Sequence, residues 1–173
     1  MRSALLSCVV SGLLVMSQSP IPAAAAQGDG ASNKAVARRV FDELLNKEKY
    51  ELFEQIYAKT FVKHVDGKTY SLQEEIQQAK SMRVSMSDLV MTVDFMIAEG
   101  DKVVIQYTGR GTSTGPLGGM PPTGKTCVAT GATVYRIVGG KIAEEWTYYN
   151  MLDILEQLGY MPNPQSGAAT KKR

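Results

Sequence analysis

Two adjacent glycines constrain this chain more than any other feature. Gly139-Gly140 separates Thr126–Val138 from Lys141–Asn150, two runs rich in β-branched and aromatic residues. Such a pair between such runs signals a tight two-residue hairpin turn. Val138 then faces Lys141, and the rest of the register follows because side chains alternate faces with period two. Counted straight along both strands, Glu144 lies opposite Tyr135, Trp146 opposite Thr133, Tyr148 opposite Gly131 and Asn150 opposite Ala129. Large or polar groups thus meet progressively smaller partners, and the volume left beside Trp146 and Asn150 could hold a ligand. An ordinary amphipathic hairpin with an aromatic core anchor fits the same pattern.

The helical signals lie earlier in the chain. Ser32 or Asn33 can cap a helix running to about Asn46, with Val36, Ala37, Val40, Phe41, Leu44 and Leu45 forming an apolar stripe of helical period. A second helix fits Tyr50–Ala58. Phe61–Val65 follows and ends at Asp66-Gly67, a turn signal. Ser71-Leu72-Gln73-Glu74 is a capping-box pattern that opens a third helix through about Met82. From Asp88 onward the period changes to two: Leu89–Ala98 and Lys102–Thr112 read as a hairpin turning at Gly100-Asp101. Met151–Leu158 is a short closing helix stopped by Gly159. Three helices, four strands and a short helix predict an α+β domain with helices on one side of an antiparallel sheet.

A chain of 173 residues is enough for one domain with a real core. Its start reads as a secretory signal peptide: Arg2, the apolar run Ala4–Met16, and Ala24-Ala25-Ala26 as a cleavage site before Gln27. The apolar run is shorter than the ~20 residues a membrane-spanning helix needs. The expected organisation is therefore a signal over residues 1–26, a linker over 27–33, a domain over 34–159 and a disordered tail over 160–173. The mature protein is expected to be secreted or periplasmic, with no membrane association after cleavage. Removing residues 1–26 takes away only Arg2 among the charged residues, so the net charge of +2 falls to about +1. Without clustered positive charge, no nucleic-acid surface is expected. Only Cys127 survives in the mature chain, so no internal disulfide can form.

Gly119–Thr126 matches the phosphate-loop pattern G-x-x-x-x-G-K-[ST] letter for letter. A phosphate loop works through successive backbone N–H groups and then opens a helix. Pro121 and Pro122 have no N–H, and a strand is expected after Lys125, so no nucleotide binding is expected. His64 is the lone histidine, a natural general base with an ordinary pKa near ~6.5. No second histidine or mature cysteine pair offers zinc-like spacing, so no metal is expected. Glu144, Glu145 and Asp153 are candidate carboxylates; the first two point to opposite faces of one strand and so are not a catalytic pair.

Several segments resemble the SnoaL-like polyketide cyclases of the nuclear transport factor 2-like superfamily. Ile56-Tyr57-Ala58 followed by His64 resembles their "Y-A…H" segment. Gly109-Arg110-Gly111-Thr112, Gly115 and Met120–Lys125 resemble their "RGT…G…PPTGK" strand and loop. Tyr135-Arg136-Ile137, Gly140-Lys141-Ile142 and Glu144-Glu145-Trp146 resemble their "YRI…GKI-x-EEW". The likeness covers about Lys34–Gly159. It implies a cone, in which a curved antiparallel sheet packs on three N-terminal helices around a deep pocket, often as a homodimer. It also implies an acid–base site without metal or organic cofactor that promotes an aldol-type ring closure. The family's general acid/base is an aspartate four residues after the tryptophan, and this chain has Asn150 there. An amide cannot exchange a proton near neutral pH, and general acid–base catalysis is typically worth ~10²–10⁴ in rate.

The expected site therefore joins His64, Asn150 and Glu144 as catalytic candidates to Trp146, Tyr107 and Tyr135 as binding aromatics. His64 is expected to reach it from the helical layer, while Asn150 and Trp146 share a strand face. The expected ligand is a small, largely apolar or polyketide-like molecule. Three readings stand: a cofactor-independent lyase, cyclase or isomerase using His64; a small-molecule binder with a decayed site; and a domain that uses its sheet as a dimer face.

Overall fold

The computed structural model describes residues 30–162; the expected signal peptide and all but the start of the expected tail lie outside the described residues. Helix α1 (Gly30–Arg39) continues into a π-helical turn, Val40–Leu45. Together they bury Ala37, Val40, Phe41 and Leu44, the stripe visible in the sequence. Asn33 does not cap this helix: it lies inside it, and its amide donates to the Gly100 carbonyl at 3.2 Å. A single 3₁₀ turn, Tyr50–Leu52, leads into α2 (Phe53–Ile56). The expected second helix to Ala58 is thus shorter, because Tyr57 adopts an extended backbone (φ −103°, ψ 148°) and opens strand β1 (Tyr57–Val65). The aromatic and β-branched residues Thr60, Phe61, Val62 and Val65 favour this strand, which takes its backbone partners from β6. Asp66 and Gly67, both at positive φ (50° and 73°), turn the chain into β2 (Lys68–Ser71).

Helix α3 (Leu72–Ser85) starts with the expected capping box: the Ser71 hydroxyl accepts from the Glu74 N–H, and the Glu74 carboxylate accepts from the Ser71 N–H at 2.7 Å. Strands β3 (Val90–Glu99), β4 (Lys102–Thr112), β5 (Thr126–Val138) and β6 (Lys141–Tyr149) follow, and α4 (Met151–Leu158) ends at Gly159 in the left-handed region. The sheet therefore has six strands rather than four, in the order β2-β1-β6-β5-β4-β3. It is mixed rather than purely antiparallel, since β1 runs parallel to β6.

The Gly139-Gly140 turn forms as expected, both glycines at positive φ, with Val138 opposite Lys141 and Ile137 opposite Ile142. The register then slips by one. Arg136 pairs with Glu144, so Ala143 is an extra residue on β6, a β-bulge. Tyr135 consequently faces Glu145 rather than Glu144, Val134 rather than Thr133 faces Trp146, and Gly131 faces Tyr149 rather than Tyr148. Asn150 leaves the strand altogether. One inserted residue exchanges the inner and outer faces of β6 for its whole second half.

The inner face packs Val103, Ile105, Tyr135, Ile137 and Ile142 against α1, α2 and the buried rings of Phe41, Phe53, Tyr57 and Phe61. Fully burying one such side chain is worth about 1.5–3 kcal/mol. A second cluster of Met86, Leu89, Cys127 and Leu158 fixes α4 against β5. The glycine-proline loop before β5 is followed by a strand, and Lys125 lies against Gly159, where a Cβ would clash with its Nζ. That lysine therefore sits at the carboxyl end of α4, the end of a helix that favours positive charge.

Candidate functional site

The parallel pairing of β1 with β6 sets Val62 beside Glu144, Lys63 beside Glu145 and His64 beside Trp146. Alternation sends Lys63 and Glu145 into the cone and His64 and Trp146 to the outer face. Two chemically different constellations result, back to back across one sheet.

Inside, Lys63 Nζ lies 2.7 Å from Glu75 Oε2, contributed by α3, and 3.3 Å from Glu145 Oε1. The Thr147 hydroxyl donates to Glu145 Oε1 at 2.6 Å and lies 2.8 Å from the Thr133 hydroxyl. Tyr57 Oη and Glu145 Oε2 are buried without a hydrogen-bond partner among the described residues. The Tyr57 and Tyr135 hydroxyls influence each other electrostatically without reaching hydrogen-bonding geometry. The Lys63, Glu75 and Glu145 side chains are only 12%, 9% and 5% exposed.

Charge is unbalanced here, with two carboxylates around one ammonium. The Glu75 carboxyl is raised to about 7: burial pushes it up most, the Glu145 charge adds to that, and Lys63 only partly offsets the two. Burial alone would depress the Lys63 ammonium, but Glu145 and Glu75 outweigh it and hold the group charged well above the ordinary lysine range. Burial also pushes the Tyr57 and Tyr135 phenols well up, with the two carboxylates adding to it, and raises Tyr107 to about 12. Near neutral pH the cluster thus holds one exchangeable carboxyl proton, a fixed positive charge and neutral tyrosine donors. Those are the parts of a general acid–base device.

Outside, the His64 ring stacks on Trp146 with centroids 5.1 Å apart and planes 9° from parallel. His64 Nε2 is 3.9 Å from Glu144 Oε1, while Arg136 Nε donates to Glu144 Oε2 at 2.6 Å. A cavity of about 290 Å³ opens beside them, lined by His64, Asp66, Gly67, Trp146 and Tyr148. A second, of about 440 Å³, lies at the β3–β4 turn around Ile97, Asp101 and Val104.

The expected site residues therefore separate. His64, Glu144 and Trp146 come together, but on the outer face and from two strands, not from the helical layer. Tyr107 and Tyr135 line the inner face, Tyr107 crossing Gly131 so closely that a Cβ there would clash with its hydroxyl. Asn150 joins neither group: it caps α4, its Oδ1 accepting from the Asp153 N–H at 3.2 Å. Glu75 and Lys63 are absent from the residues singled out in the sequence, and Glu145 is there only as a candidate carboxylate outside the expected site. Glu145 loses to Glu144 there because the bulge is not counted. Glu75 carried a usable signal: Leu72, Glu75, Ile76 and Ala79 fall on one helical face, so the apolar face of α3 contains one acid.

A curved open sheet of six strands wrapped on helices, with polar groups gathered on its inner face, defines a nuclear transport factor 2-like α+β protein. The chain belongs to the SnoaL-like polyketide cyclase family, whose model matches residues 35–158. Family membership points to a small-molecule-binding function of cyclase or isomerase type. Similar solved structures include AclR, a candidate hydroxylase from Streptomyces galilaeus, with TM-score 0.71 and 24% identity over 78% of this chain and 85% of that one. Another is a candidate SnoaL-like polyketide cyclase from Jannaschia sp. CCS1, with TM-score 0.71 and 20% identity over 85% and 99% of the two chains. A third is IdmH, a candidate polyketide cyclase from Streptomyces antibioticus, with TM-score 0.65 and 23% identity over 73% and 98%. At these identities the likeness establishes the fold alone. No curated protein sequence matches the chain.

Proposed function

We propose that this chain is a cofactor-independent cyclase or isomerase acting on a small, largely apolar carbonyl compound, with Glu75, Lys63 and Glu145 as its proton-transfer machinery. The observation that carries this reading is the buried Lys63 between two carboxylates, one of them raised to about 7. In the proposed step a substrate carbonyl accepts from the Tyr57 or Tyr135 hydroxyl. A carboxylate of the pair then removes the proton on the adjacent carbon, leaving an enolate. That carbon either attacks a second carbonyl, whose oxygen takes the proton back, or is reprotonated at another position. Lys63 keeps its proton and offsets the negative charge that accumulates. On this reading His64 is not the base.

Deuterium exchange at the acidic carbon of an aryl 1,3-diketone, followed by NMR, tests the reading. Glu75→Gln and Glu145→Gln should each slow protein-catalysed exchange by roughly 10²-fold, and His64→Ala should leave it within about twofold. Loss of exchange in His64→Ala with retention in both glutamine variants would reject it. One observation favours a non-catalytic binder: the amide of Asn150 where the family has an aspartate. In that case the diketone binds, Glu145→Gln weakens it, and no exchange exceeds the solvent rate.

Export and self-association belong to the same proposal. Ala4–Met16 and Ala24-Ala25-Ala26 support secretion to the periplasm or medium, and an exported mass beginning near Gln27 would bear on it. The exposed Phe95 and Ile97 support a homodimer through the outer face of β3.

A further inference from the structure

We infer that the outer-face cavity between the β1–β2 turn and β6 is a second binding site, selective for a small organic cation carrying an aromatic ring. It lies on the opposite face of the sheet from the acid–base cluster and does not depend on that cluster's role. Three features of its lining carry the assignment. Trp146 and Tyr148, two residues apart on β6, present rings to it, and aromatic faces attract cations. Asp66 brings a carboxylate that makes no hydrogen bond or ion pair with any described residue. No lysine or arginine is among the residues that line it, so nothing in the lining compensates an anionic ligand. A volume of about 290 Å³ lies at the small end of ligand pockets and suits a single ring with a short ammonium arm.

Stacking and charge act on the same ligand from different sides. The His64 ring, 9° from parallel to Trp146 with centroids 5.1 Å apart, holds the indole in place from the β1 side. The turn places Asp66 opposite. Its φ of 50° lies in the left-handed region, which asparagine tolerates as well as aspartate, so the charge can be removed without disturbing the turn.

Trp146 is the only tryptophan in the chain, so its fluorescence reports this site alone. The test titrates the full-length protein with 2-phenylethylammonium and, separately, with 3-phenylpropionate, an anion of the same size. A saturable change with the cation, at an affinity of about 1 mM or tighter and at least tenfold tighter than the anion, is expected. Asp66→Asn should weaken the cation about tenfold and leave the far-ultraviolet circular dichroism unchanged. Equal response to cation and anion, no saturable response to the cation by about 10 mM, or full affinity in Asp66→Asn would each overturn the assignment. Diketone exchange by the interior cluster is unaffected by any of these outcomes, so the two readings fail separately.

Discussion

Glu75 carries a charge that its surroundings oppose. Its carboxyl, raised by burial and by Glu145 to about 7, binds its proton more tightly in the folded protein than in the unfolded chain. The stability this contributes is fully present below the ordinary glutamate range and is lost as pH rises through about 7. Lys63 stays charged in both states across that window and adds no slope. Wild-type thermal stability should therefore fall between about pH 5 and pH 8 by up to ~3 kcal/mol, and Glu75→Gln should flatten that fall. Thermal melts across the window check it, and an unchanged slope in the variant would contradict it. Lys63→Met is expected to be much worse, costing about 3–5 kcal/mol at pH 7, because it leaves the two carboxylates buried together. Asn150 is a different kind of residue. At a helix N-cap, asparagine and aspartate serve almost equally, so the cap itself does not require the amide. Asn150→Asp should be near neutral for stability, whereas Asn150→Ala should cost about 0.5–2 kcal/mol in a chemical denaturation curve.

At the level of elements, the sequence carried most of the frame. The capping box at Ser71, the glycine turns at Gly100 and Gly139-Gly140, and the stop at Gly159 each act through local backbone chemistry that residue types reveal. What it did not carry was pairing at a distance. Strand β2 has four residues and one aromatic side chain, Tyr70, too few to show a period of two. Its partner β1 is revealed only by β6, some eighty positions later, whose parallel edge it joins. The bulge at Ala143 has no compositional mark, yet it decides which glutamate enters the cone. The face containing Trp146 was therefore legible and its direction was not. Because α3 delivers Glu75 to Lys63, its start matters to the site: Ser71→Ala removes one half of the capping box and should cost about 1 kcal/mol. Denaturation of the variant measures this, and the Glu75 titration should persist, since the helix remains.

For the whole molecule, the sheet separates two environments. Its inner face concentrates an acid–base cluster among aromatic rings. Its outer face exposes apolar side chains, with Phe95 47% and Ile97 58% exposed on the edge strand β3. Exposed residues of this kind on an edge strand invite association. If they form the proposed homodimer face, Ile97→Asp should convert a dimer to a monomer in sedimentation equilibrium; a wild-type monomer would reject that face. The central claim, however, concerns one proton in the interior. Carboxyl carbons of selectively ¹³C-labelled glutamates, titrated by NMR, read it directly. The account predicts one glutamate with an apparent pKa near 7, absent in Glu75→Gln, among others in the ordinary range. A titration in which every glutamate ionises below about pH 5 would contradict it.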